Sequence, residues 1–273
     1  MLSLSHRHED GARLASLLWE FGPGWRMISS AMVGGGIGPG EWVLNAQVVG
    51  AYSRMDPIDH LLELAPAGRP GVGMMTAASV AHYTRASDGG AEAVATVGLR
   101  VPTWAASPEG VPDPELRPER GDPAPRPERG DLAPRLQRAG LAPPPERVGP
   151  ASPSEGAGLV PRPASPVPSP TAPGTINIIV AVPVAMSDAA LVNTVMTVTE
   201  AKSQALAEAG YACTGTASDA VCVAVRAEGP EELFGGPRST WGSRIARAVH
   251  HSVLNGAHAW ADVVGFVPAA HRG

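Results

Sequence analysis

The stretch Gly174-Thr175-Ile176-Asn177-Ile178-Ile179-Val180-Ala181-Val182-Pro183-Val184 decides the fold. Its β-branched run from Thr175 to Val184 reads as a central strand, and Pro183 marks its expected end. Asp188 to Ala209 follows as a long helix, with Ser187 placed to cap its start and Gly210 to stop it. Asp219 to Ala227 (DAVCVAVRA) is a further strand, and Arg238 to Trp260 a second long helix. Toward the N-terminus, Ala91 to Val101 reads as a strand, Gly71 to Val80 as strand then helix, and Pro57 to Leu64 as a short helix. Trp25 to Val33 and Glu41 to Val49 read as two strands of a hairpin, joined by a flexible turn over Gly34 to Gly40. Asp10 to Phe21 predicts a helix closed by Gly22-Pro23-Gly24. Strands alternating with helices in the second half, and consecutive strands in the first, give a layered single α/β (α+β) domain with a mixed sheet.

A different composition separates the two halves. Of the 29 prolines, 19 fall between Ala106 and Pro173, a stretch with no aromatic residue. Within it, Arg117-Pro118-Glu119-Arg120-Gly121-Asp122 recurs as Arg126-Pro127-Glu128-Arg129-Gly130-Asp131, and 9 acids nearly cancel 8 arginines. Such a segment lacks the apolar surface to build a core, so 106–173 is expected to be a disordered, polyproline-rich insertion. Residues 1–105 and 174–273 are then expected to form one domain, with the insertion joining two of its strands.

Net charge is −5, which gives no electrostatic case for a nucleic acid or an anionic membrane. The longest apolar run, Ile176 to Met186, is too short to span a bilayer, and His6-Arg7-His8-Glu9-Asp10 opens no signal peptide. A cytoplasmic protein is expected. Two cysteines, Cys213 and Cys222, make neither a disulfide framework nor a zinc site, and read as buried thiols. His250, His251 and His258 lack metal-ligand spacing, so no metal site is expected. The glycines at 34–40 precede a strand rather than a helix, which rejects a dinucleotide fingerprint.

The chain holds a single lysine, Lys202. At ~100° per residue it falls about 20° from Leu191, within the apolar stripe of Leu191, Val195, Val198, Ala205 and Leu206. It is either a snorkelling lysine or a buried ammonium with a tertiary partner. Glu200 lies on the opposite face. Thr214-Gly215-Thr216-Ala217-Ser218-Asp219 packs hydroxyls and a carboxylate around a glycine that permits unusual backbone angles, which suits either a binding loop or an ordinary turn. Asn45 and Asn177 are polar groups inside apolar strands and must find partners there or in a ligand.

One ordered set of motifs is more specific than any of its members. Ile28-Ser29-Ser30 before Gly34-Gly35-Gly36, Leu44-Asn45, Gly73-Met74-Met75-Thr76-Ala77-Ala78, Thr96-Val97-Gly98-Leu99, Gly174-Thr175-Ile176-Asn177, Thr199-Glu200-Ala201-Lys202 and Thr214-Gly215-Thr216-Ala217-Ser218-Asp219-Ala220 together resemble the adenosylcobinamide amidohydrolases. The resemblance covers about Trp25 to Leu99 and Gly174 to His250, and skips the proline-rich insertion. It implies hydrolysis of the amide joining the corrin ring to the aminopropanol arm of adenosylcobinamide, giving adenosylcobyric acid and 1-amino-2-propanol in corrinoid salvage for coenzyme B12 synthesis. The cobalt corrinoid is then substrate, and no cofactor is expected.

Amide hydrolysis needs an activated nucleophile, an oxyanion stabiliser and a proton for the leaving amine. Fitted to that chemistry, Asp219 is the candidate base. Thr214, Thr216 and Ser218 would orient water or attack. Lys202 would stabilise the oxyanion or protonate the amine. Ser30, Gly34, Gly35, Gly36, Asn45, Thr76, Asn177 and Glu200 are the candidate substrate-binding residues. The expected partner is the small corrinoid, and a homo-oligomer is compatible with the sequence. A corrinoid-binding protein without hydrolysis, or a scaffold using the insertion to tether a salvage enzyme, are readings from other functional classes.

Overall fold

The computed structural model describes residues 1–113, 116 and 174–266. Among the described residues, two sheets and three α-helices make an α/β fold, and these residues lie in one compact unit. The first sheet has the order β1 (Leu2–Glu9), β2 (Ala12–Glu20), β5 (Trp42–Gln47) and β6 (Gly71–Thr76), with β5 and β6 parallel and the other pairs antiparallel. The second runs β4 (Gly36–Pro39), β3 (Trp25–Ser29), β10 (Ala220–Arg226), β9 (Thr175–Met186), β8 (Ala91–Gly98) and β7 (Thr84–Asp88), and the short β11 (Glu231–Glu232) also pairs with β9. β9 and β10 are parallel, while β8 and β9 are antiparallel.

Side-chain alternation builds the layers. Along β9, Ile176, Ile178, Val180 and Val182 face a core shared with α2 (Asp188–Glu208) and α3 (Thr240–Val264), through Leu191, Leu206, Ile245 and Val249. The alternate residues Ile179 and Ala181 face the first sheet, where Leu17, Val43, Val72 and Met74 complete a second core. Trp42, Leu44 and Ala46 point outward from the first sheet to Leu61 of α1 (Pro57–Leu64). The order of layers is therefore α1, first sheet, second sheet, then α2 with α3. β9 is a central strand covered on both faces, as its β-branched run requires.

Helix caps follow the sequence. Ser187 Oγ accepts from Ala190 N–H at 3.2 Å, and Gly210 takes a positive φ of 83° just past α2. Ser239 caps α3 in the same way through Gly242 N–H. Pro183 does not end β9, which runs on to Met186. The pairing of β9 with β10 is irregular at that point, between Ala224 and Arg226, so the ladder has no place for the missing N–H to weaken.

Two further expectations are overturned. Asp10–Phe21 is a strand hairpin, not a helix: Asp10 and Gly11 (φ 50° and 71°) form the two-residue turn between β1 and β2. β2 is flanked by strands on both sides and buried over Leu14–Leu17, so its near-continuous apolar run imitates a helix. Trp25–Val33 and Glu41–Val49 do not pair with each other. β3 pairs with β4, formed from Gly36–Pro39 of the presumed turn, while β5 belongs to the other sheet. The sequence reading also passed over β7, joined to β8 by the positive-φ pair Gly89-Gly90.

The expected insertion 106–173 lies mostly outside the described residues. Its first part, 106–113, is described: Asp113 accepts hydrogen bonds from Thr103 Oγ1 at 3.0 Å and from Ser107 Oγ at 3.4 Å. On either side of the segment, Gly98 of β8 stands opposite Thr175 of β9.

Candidate functional site

Lys202 is a buried ammonium with a tertiary partner. It projects from the buried face of α2 and forms an ion pair with Asp219 at the start of β10; their side chains are only 10 % and 12 % exposed. Asp219 also accepts from the Thr216 hydroxyl, from Thr216 N–H and from Ile176 N–H at 3.0 Å. Three of these donors converge on Oδ1. Oδ2 takes Lys202 and one arm of the forked Thr216 N–H bond. The carboxylate thus ties the 214–219 loop to the first residues of β9.

Gly215 is buried against this pair. A Cβ there would collide with Asp219 Oδ2 and Lys202 Nζ. The sequence reading valued this glycine for its backbone freedom, but it is absent from the positive-φ glycines, and close approach is what excludes a side chain.

The three hydroxyls of the loop are used differently. Thr216 alone reaches Asp219. Thr214 Oγ1 donates to Thr103 O at 3.3 Å and accepts from Ala105 N–H at 2.9 Å. Ser218 Oγ lies 2.9 Å from Thr175 Oγ1 and donates to Gly174 O at 3.3 Å.

A second polar cluster lies between the sheets. Asn177 Nδ2 donates to Asn45 Oδ1 at 2.9 Å and to Met75 O at 3.2 Å, and Asn45 Nδ2 donates to Thr96 Oγ1 at 2.9 Å. Asn177 Oδ1 is buried with no hydrogen-bond partner among the described residues. Thr76 is also buried, its hydroxyl accepting from Ala78 N–H at 3.0 Å. These three candidate binding residues gather beside β9 but are shut off from solvent.

The remaining candidates are dispersed. Ser30 Oγ accepts from Val221 N–H at 3.1 Å, two residues beyond Asp219. Gly34 takes a positive φ of 69° and abuts Gly71 of β6, where a Cβ would strike the carbonyl oxygen. Gly35 is closed in by Ala31 O, and Gly36 opens β4 with free space around its Cα. Glu200 is exposed and lines a groove between α2 and α3, with Arg238 and His250, and is not brought to the Lys202–Asp219 pair.

Two features escaped the sequence reading. The first is a cavity of about 380 Å³ between Ala77–Ser79, the ends of β8 and β9, and the last turns of α3. Gly174 is one of its walls, and a Cβ on Gly174 would lie 3.2 Å from Thr216 Cγ2. The second is Glu9–His60–Tyr52. His60 is buried, its Nε2 lies 3.0 Å from Glu9 Oε1, and its Nδ1 lies 3.0 Å from the Tyr52 hydroxyl. Burial tends to raise the Glu9 carboxyl, but the Arg7 guanidinium and His60 outweigh it and hold it below its usual value. An Asp-Gly hairpin in place of the expected helix would have brought Arg7 and Glu9 onto one strand.

The chemistry available follows from these contacts. Burial pushes the Cys213 thiol up to about 11 and raises Cys222 further, so neither is poised as a thiolate. Among the described residues, no group of three His, Cys, Asp or Glu side chains converges to hold a metal ion. No described helix is long and apolar enough to cross a membrane. What the 214–219 loop and α2 offer together is a carboxylate in contact with an ammonium on one oxygen and a hydroxyl on the other.

Known proteins agree with the motif order. The chain matches the family model of the adenosylcobinamide amidohydrolases, CbiZ, over residues 1–264. A curated adenosylcobinamide amidohydrolase of Methanosarcina mazei is 37 % identical over 92 residues, which make up 30 % of this chain and 46 % of that protein. The match thus spans about half the length of that relative. On the strength of a family match running through both sheets and the three described α-helices, the chain belongs to the adenosylcobinamide amidohydrolase family.

Proposed function

We propose that this protein hydrolyses the amide between the corrin ring and the aminopropanol arm of adenosylcobinamide, releasing adenosylcobyric acid and 1-amino-2-propanol for corrinoid salvage, and that Lys202 and Asp219 carry the reaction. The observation behind the assignment is the buried Lys202–Asp219 pair, set on the loop whose motif belongs to the family resemblance. Oδ1 of Asp219 is occupied by three donors, so the attacking water is taken up at Oδ2, beside Lys202 Nζ. Asp219 accepts the proton of that water as its oxygen attacks the amide carbon. Lys202, with N–H groups beyond the one given to Asp219, donates to the developing oxyanion. The proton held on Asp219 then passes to the leaving nitrogen, so the C–N bond breaks to a carboxylic acid and a free amine. Thr216 fixes the carboxylate, and Gly215 leaves its Oδ2 side without an obstructing side chain.

Incubating the purified protein with adenosylcobinamide and measuring free 1-amino-2-propanol tests the reading. Equimolar release of the amine and adenosylcobyric acid is expected. Corrinoid binding without any release of amine would replace the enzyme with a corrinoid-handling protein.

A further inference from the structure

We propose that the cavity walled by Gly174 and Trp260 is a subsite for the adenine of the corrinoid's upper ligand, which anchors the substrate while its amide lies at Lys202 and Asp219. This rests on the amidohydrolase reading and adds a binding site to it.

Size is the first argument. A volume of about 380 Å³ is at the small end of small-molecule sites, suited to a nucleoside and too small for a whole corrin. The second is the character of the walls. Val97, Ala259 and Trp260 supply apolar surface, while Ser79 and His82 bring hydrogen-bonding groups to the same space. A purine needs this combination, a flat apolar slot with polar groups at its edge for ring nitrogens and sugar hydroxyls. The rings described around Trp260 do not stack on it: Tyr211 meets it at 68° and Phe266 at 58°. The third argument is position. Gly174 lines the cavity and also accepts from Ser218 Oγ on the Asp219 loop, so one residue separates the subsite from the reacting groups. Gly98 of β8 lets Ala78 pack directly against that wall of the cavity, since a Cβ on Gly98 would stand 2.8 Å from Ala78 Cβ.

Ala259 lies half-buried on α3 and faces the cavity, so Ala259→Phe fills the slot while Ala259→Ser keeps it open. Both variants are first matched to the wild type by circular dichroism. Binding of 5′-deoxyadenosine is then measured by calorimetry, with 5,6-dimethylbenzimidazole as the other planar base. Amine release is measured on adenosylcobinamide and on dicyanocobinamide, which lacks the adenosyl group. The wild type and Ala259→Ser are expected to bind 5′-deoxyadenosine in preference to the benzimidazole. Ala259→Phe should weaken that binding about tenfold or more, with KM for adenosylcobinamide raised by a similar factor and kcat little changed. The variant should handle dicyanocobinamide as the wild type does. No binding of 5′-deoxyadenosine by the wild type, a preference for the benzimidazole, or an equal loss on both corrinoids would overturn the subsite. Binding of 5′-deoxyadenosine needs no turnover. If that binding is lost in Ala259→Phe and no protein releases amine, the subsite stands and the hydrolase reading falls.

Discussion

Lys202–Asp219–Thr216 and Glu9–His60–Tyr52 are both buried polar clusters that tie together distant parts of the chain, and they differ in what they leave unused. In the second, both imidazole nitrogens are engaged, Glu9 divides its two oxygens between His60 and Arg7, and Arg7 goes on to Ser16 Oγ and Gln47 O. Each of its charged and ring groups is bonded within the network, and the cluster locks β1, β2 and β5 to α1. In the first, Lys202 gives one bond to Asp219 among the described residues and has further N–H groups, and a cavity lies one residue away at Gly174. Unspent hydrogen-bonding capacity beside a cavity is what a reacting substrate can use, whereas a closed network contributes mainly to stability.

The largest effect expected from this difference is at Lys202. Lys202→Met leaves the Asp219 carboxylate buried and unpaired, and should cost about 3 kcal/mol in urea unfolding together with at least a hundredfold loss of amine release. His60→Phe should also destabilise, by about 2 kcal/mol, because Glu9 and Tyr52 lose their shared partner. Its turnover below the unfolding transition should stay within about threefold of the wild type, as for a residue that only supports the fold. A hundredfold loss in His60→Phe would erase the distinction between the clusters.

Gly215→Ala sharpens the comparison inside the 214–219 loop. The new methyl group must push Lys202 from Asp219, so turnover should fall about tenfold or more, while Gly36→Ala, at a position with open space, should affect stability through its positive φ alone. The pH dependence separates the clusters in another way. Glu9 titrates lower in the folded chain than in the unfolded one, so its contribution is complete above about pH 4.5 and is lost as pH falls through the folded value. Glu9→Gln should therefore flatten the acid limb of the stability curve, read by thermal melts between pH 3 and 7. The smallest effect is at the helix cap: Ser187→Ala should cost about 1 kcal/mol and leave turnover unchanged.

Legibility from sequence follows the same divide. Around β9 the residue types, caps and breaks agree, so β9, α2, β10 and α3 were read nearly in place. The lone lysine within an apolar stripe left two readings, a snorkelling side chain or a buried ammonium with a tertiary partner; the structure has the second, with Asp219 as the partner. The N-terminal sheet was misread where a buried strand carries a continuous apolar run. The two-residue turns, Asp10-Gly11 in that sheet and Gly89-Gly90 between β7 and β8 of the second, are the local signals that define the hairpins. The Glu9–His60–Tyr52 cluster and the cavity were not legible at all. Each joins segments far apart in the chain, and neither leaves a spacing pattern. Asn45 and Asn177 were found as polar groups in apolar strands, and in the structure they bond to each other.

The central claim is that the Lys202–Asp219 pair performs the chemistry rather than merely holding the loop, and the double variant Lys202→Met/Asp219→Asn tests it most directly. Removing both charges relieves the buried unpaired carboxylate, so stability should return to within about 1 kcal/mol of the wild type. Amine release from adenosylcobinamide by this refolded, stable protein is the measurement. The account predicts that release stays at least a hundredfold below the wild type; release at the wild-type rate would contradict it.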